Sequence, residues 1–119
     1  MIEVDLYSHL SSDANITSSI ADNIFPLIAP SGTKPPYITY QMISDVDLTS
    51  VQGENYANKT RFQIDIYSED YLEVIGINGA VKDSVYGLGN TVYDFSSRDI
   101  PPEPDTGYFR RLIEFKINN

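Results

Sequence analysis

The sequence predicts an α+β domain, an antiparallel sheet of about four strands with helices packed on one face. Three observations predict it. Ile2, Leu6 and Leu10 repeat at helical spacing near the start of the chain. Residues 59–68 alternate cleanly: Phe62, Ile64 and Ile66 face one way, and Arg61, Gln63, Asp65 and Tyr67 the other, the pattern of a half-buried antiparallel strand. Proline and glycine clusters then cut the chain into segments of element length.

In chain order, residues 2–11 read as an amphipathic helix, with Glu3 and Asp5 in the first turn, where the helix dipole favours negative charge. Ser12 and Asp13 are capping residues for a shorter helix near 14–21, which places Ile16 and Ile20 on one face. Ile24-Phe25-Pro26 ends the helical region and pins the chain to the core. Residues 29–36 form a Pro/Gly elbow, because Pro30, Pro35 and Pro36 oppose helix and hold the chain extended. Tyr37-Ile38-Thr39-Tyr40-Gln41 opens a strand over 37–44, in residue types that suit a pleated surface.

Residues 45–58 are polar, with isolated apolar residues at Val46, Leu48 and Val51, and read as a long connection, an exposed arm or a mobile loop. After the alternating strand, Ser68, Glu69 and Asp70 start a third helix with Val74, Ile77, Val81 and Val85 as its apolar stripe. Gly76 and Gly79 lie inside that helix, each costing about 1 kcal/mol against alanine, and their expected use is close packing on the sheet. Gly87 and Gly89 stop it. A strand over 90–98, a stiff Pro-rich acidic loop over 99–107 and a last strand over 108–117 complete the order. Phe109, Ile113, Phe115 and Ile117 share one face of the last strand, together with Arg111.

At 119 residues the chain has the size of one domain, residues 1–119, with one core. Apolar residues, 41% of the total, are spread along its whole length, which argues against disorder. No apolar run approaches the roughly 18 residues that span a bilayer, and the N-terminus lacks a signal-peptide pattern. Those features predict a protein made in the cytosol, with no membrane partner. With no cysteine, disulfides and thiolate metal sites are excluded. The net charge of −9 is the reverse of a nucleic-acid binder's basic footprint, so direct phosphate binding is not expected. Such a balance keeps a small protein soluble, and also suits a surface past which DNA must slide.

No catalytic pattern appears. His9 is the single histidine, no nucleophile elbow accompanies it, and a helix-flank role fits it best. Asp45-Val46-Asp47 lacks the glycine and glutamate offsets of a calcium loop. Gly87-Leu88-Gly89 lacks the third glycine of a dinucleotide turn. The chain is therefore expected to be no enzyme and to need no cofactor and no metal. Asp65 sits mid-strand on the polar face, where it reads either as a cross-strand ion pair with Arg110 or Lys116 or as a salt bridge between subunits. Nine tyrosines are also an interface signal, but in a strand-rich chain core or sheet face is the favoured reading.

An ordered set of segments resembles the tail-completion, or tail-terminator, proteins of long-tailed bacteriophages and prophages. The set begins with Leu6-Tyr7, Leu10, Asp13-Ala14, Ile24-Phe25-Pro26, Ala29-Pro30 and Pro36-Tyr37-Ile38-Thr39-Tyr40-Gln41. It continues with Arg61-Phe62-Gln63-Ile64-Asp65-Ile66-Tyr67-Ser68, the helix through Ala80-Val81, and Gly107-Tyr108-Phe109-Arg110-Arg111. The glycines of the third helix depart from the family's preference for alanine and leucine, and the region between Ser44 and Lys59 shows no match.

The resemblance implies a structural virion protein at the head–tail junction, assembled in the host cytoplasm. Its subunits form a hexameric ring that caps the tail tube, ends tube polymerisation and forms the docking face for the head. The implied partners are other copies of itself, the tail-tube protein and a head–tail connector protein, with DNA only as passing cargo in the lumen. Candidate interface residues are Arg61 with Asp65, Arg110 with Arg111, Asp47, Glu54 and Tyr56 in the polar connection, and Pro102 and Glu103 in the Pro-rich loop. Exposed strand edges need a partner, and ring assembly would supply one. Two other readings remain open from sequence: a head-side connector or stopper ring, and a small non-viral ligand- or protein-binding module.

Overall fold

The computed structural model describes residues 1–49, 55–89, 91–102 and 104–119. Helix α1 (Ile2–Ser11) buries Leu6 and Leu10. Helix α2 (Ala14–Ile20) starts where the Asp13 carboxylate accepts a hydrogen bond from the Asn15 amide at 2.9 Å, satisfying one of the free donors of the first turn. It buries Ile16 and Ile20. Helix α3 (Tyr71–Tyr86) is capped in the same way by Asp70 and buries Val74, Ile77, Val81 and Val85, the predicted stripe. The sequence-predicted α+β class is the observed one.

The sheet has five strands: β1 (Ile24–Pro26), β2 (Tyr37–Thr49), β3 (Asn55–Ser68), β4 (Thr91–Ile100) and β5 (Phe109–Asn118), in the order β1-β2-β3-β5-β4. β1 adds a fifth, parallel strand to the expected antiparallel sheet of about four. Ile24, Phe25 and Pro26 pair in parallel with Ile38, Thr39 and Tyr40. Three residues are too few for a periodic signal, and their pairing is decided by where α2 delivers the chain.

The connection expected over 45–58 is also corrected. β2 continues to Thr49 and β3 resumes at Asn55, making a long hairpin. A register shift between Met42 and Ser44 reverses the side-chain phase. Ile38 and Tyr40 pack toward the helices before it, whereas Asp45, opposite the buried Thr60, takes the helix side after it. The Asp45 carboxylate accepts from the Thr60 hydroxyl at 2.8 Å. Past the shift residues 44–47 are exposed whichever side they take, so no hydrophobic period marks the strand.

One core lies between the helices and the sheet. Phe62, Ile64, Ile66, Ile113, Phe115 and Ile117 supply the sheet side and are essentially fully buried. Phe115 stacks between Phe62 (5.8 Å) and Phe95 (6.1 Å) across three strands. Each such side chain contributes about 1.5–3 kcal/mol by leaving water. Gly76 and Gly79 do not pack on the sheet as expected. Both face solvent, with nothing within 4 Å of where a Cβ would stand. Beyond the Asn58–Asn119 backbone bonds the hairpin runs on as a two-stranded arm. The radius of gyration, 15.3 Å, accordingly exceeds the roughly 13.5 Å of a compact chain of this length.

Candidate assembly surfaces

The helices cover one side of the sheet and leave the other bare. Strand alternation puts Lys59, Arg61, Gln63, Asp65 and Tyr67 of β3 on the bare face, with Arg110, Leu112, Glu114 and Lys116 of β5 beside them. Their charges interlock across strands. Arg61 donates to Glu114, Arg110 donates to Asp65 at 3.2 Å, and Lys116 donates to Asp94 of β4 at 3.0 Å. Asp65 also accepts from Gln63 at 2.9 Å and is only 6% exposed. Of the two cross-strand partners the sequence offered Asp65, the fold supplies Arg110, because the register sets Asp65 opposite Leu112 and Arg110 within reach beside it.

Toward the end of the sheet opposite the arm, this face becomes aromatic. Tyr37 and Tyr67 stack with ring centroids 4.7 Å apart, and the Arg110 guanidinium lies 5.5 Å over the Tyr67 ring. Together with Tyr108, Thr39 and the loop from Leu27 to Lys34, the two tyrosines line an open cleft of about 440 Å³. The sequence favours core or sheet face for its tyrosines, and these two lie on the sheet face. Their positions opposite one another in the β2–β3 register are the signal that brings them together.

Arg111 projects to the other face, as its alternation with Arg110 requires. It donates to Asp99 at 2.9 Å and to the Tyr71 hydroxyl at 3.1 Å, while Tyr71 donates to Asp99 at 2.6 Å. The hydrogen bond from Tyr71, and next the one from Arg111, hold the Asp99 carboxyl below the usual carboxylate range. Partial burial alone would lower the Arg111 pKa, but the hydrogen bond and charge of Asp99 outweigh it and raise it. This triad ties β4, β5 and the first residue of α3 together.

The remaining candidates lie apart. Asp47 is exposed on the arm, opposite Asn58. Pro102 is exposed just beyond β4, at the opposite end of the sheet, beside Tyr71 and Phe109. Glu54 and Glu103 lie outside the described residues, and Tyr56 falls within β3 with its side chain outside them. Among the described residues, no group of three or more His, Asp or Glu is placed to hold a metal ion. His9 lies against the C-terminal end of α3, its Nε2 3.2 Å from where a Cβ on Gly87 would stand.

Charge is divided between the layers. The segments 1–23 and 69–88, which build the helix layer, hold eight carboxylates and one lysine, net −7 of the chain's −9. The bare sheet face carries Lys59, Arg61, Arg98, Arg110 and Lys116 against Asp65, Asp94 and Glu114.

A small α+β subunit with an acidic helix layer, an ion-paired sheet face and a projecting arm has the features of an assembly protein. Comparison with known proteins gives the family. The model of the family described as tail completion protein gp17 matches residues 4–118. The chain belongs to that family, and so to the structural proteins of bacteriophage tails. Among solved structures, a chain from the virion of a native gene transfer agent particle superposes with a TM-score of 0.79 at 13% identity, over 98% of this chain and 92% of that one, a likeness of fold. No curated protein matches.

Proposed function

We propose that this protein caps the bacteriophage tail tube as an oligomeric ring, hexameric as the resemblance implies, ending tube polymerisation and forming the docking face for the head. Its role is geometric rather than catalytic, and the whole chain acts as one tail-completion domain. The observation that carries this reading is the family match over residues 4–118, which takes in every helix and strand but the first two residues of α1. A head-to-tail contact repeated around a closed ring ends growth on one side and presents a new face on the other. The partners are further copies of the chain, the tail-tube protein and a head–tail connector protein, at the head–tail junction of the virion, with DNA passing through the lumen.

Arg61, Asp65, Arg110 and Arg111, with Asp47, Glu54, Tyr56, Pro102 and Glu103, are the proposed contact residues. The test is negative-stain microscopy of the protein mixed with its cognate tail-tube protein, beside a tube-only control. Tubes of limited length with one capped end are expected. Unchanged tubes with no bound protein would overturn the capping role.

A further inference from the structure

The sheet ends in two open edges on opposite sides of the same subunit. β4 is the last strand in the order, so alternate residues along Thr91–Ile100 direct their amide and carbonyl groups away from β5. On the other side β1 covers β2 only from Ile38 to Tyr40. Among the described residues, 41–49 therefore have β3 on one side and no strand on the other. We infer that residues 41–49 of one subunit pair with β4 of the next, so that the sheet continues from copy to copy. This rests on the ring reading and names its seam.

Strand direction selects the partner. β2, β3, β5 and β4 are each antiparallel to their neighbour. β2 of a second copy in the same orientation therefore meets β4 antiparallel, and the alternation runs on unbroken. That contact joins two different edges, the kind that repeats around a ring.

The offset of the edges fits closure. Through the registers, Gln41 is level with Ser96 and Val46 with Thr91. The open edge of β2 thus begins beside the first half of β4 and overshoots it into the arm. Pairing along all of β4 needs a stagger between subunits, and closing a sheet on itself imposes one.

Among the described residues the arm is a two-stranded ribbon. Ile43 and Val46, on the same open edge before the arm begins, are 41% and 52% exposed, and a two-stranded ribbon such as the arm is marginal alone in water. Residues 41–49 contain no proline or lysine, and the features on this edge that oppose pairing are Asp45, Asp47 and the register shift at Met42–Ser44. A neighbouring β4 would give the ribbon a third strand.

Cysteine cross-linking tests this, because the chain has no cysteine of its own. Ser44→Cys or Val46→Cys is combined with Ser96→Cys or Arg98→Cys, all on the bare face, and the four double variants are oxidised in the presence of tail-tube protein. Within one subunit the paired positions are three strand spacings apart, about 14 Å, beyond the roughly 7 Å a disulfide spans. The expected result is a covalent ladder beyond dimer from at least one double variant and none from the single variants. Capped tubes without a ladder from any pair would overturn this seam and leave the ring standing. A dimer from Arg98→Cys alone would overturn it in favour of β4 pairing with its own copy. Neither caps nor ladder would overturn both.

Discussion

Asp99, Tyr71 and Arg111 show how a residue's role changes once its neighbours are known. In the sequence Asp99 belongs to a Pro-rich loop and Arg111 is a charge on an apolar face. In the fold they meet, because Asp99 and Arg111 are register partners and Tyr71 begins the helix above them. The Asp99 pKa is lower folded than unfolded, where it is about 3.9. Its stabilising contribution is therefore whole above about pH 4 and is lost as pH falls through the folded value. Solvent exposure keeps that contribution small. Asp99→Asn should make the loss of stability between about pH 5 and pH 2 shallower in urea melts, and an unchanged slope would show that the triad adds nothing. Asp65 was half legible. Alternation placed it on the polar face, but only the register chose Arg110.

At the scale of elements, helices were legible and strand ends were not. The apolar stripe of α3 follows from spacing alone, and its start from the capping chemistry of Asp70. The hairpin was misread because both faces of its arm meet water, so burial imposes no alternation, and because the shift at Met42–Ser44 reverses the phase. The glycines of α3 yield a second prediction. Gly76 and Gly79 are exposed within the helix and have open space around them. Gly76→Ala and Gly79→Ala should each stabilise the isolated protein by about 0.5–1 kcal/mol, measured by denaturant unfolding. Gly87→Ala should not share the gain, because the new Cβ would stand 3.2 Å from His9 Nε2 and 3.3 Å from the Ser84 carbonyl oxygen.

At the scale of the molecule, acidity resides mostly in the helix layer, while the bare sheet face holds interlocked pairs of both signs. The protein should leave duplex DNA unshifted in a gel at about 150 mM salt, where the screening length is about 8 Å. Reversing Asp5, Asp22, Glu69 and Asp83 to Lys should create measurable, salt-sensitive retention, since association would then follow added positive charge. These positions are exposed, and the capping residues Asp13 and Asp70 are left intact. Retention by the unaltered protein would show that its acidic layer is no barrier to DNA.

The sequence by itself determined the α+β class, the three helices, the core faces of β3 and β5, and the family. Those depend on hydrophobic period, capping residues and segment order, which are local properties of the chain. Only the tertiary structure decided that Ile24–Pro26 is a parallel strand, which cation holds Asp65, that the helix glycines face outward, and that the polar connection, arm or loop from sequence, is built of the extended β2 and β3. These depend on register and on which surfaces are already covered. A pairing between residues distant in sequence is fixed by packing of the whole chain, and short or two-sided polar segments leave no hydrophobic period to announce it.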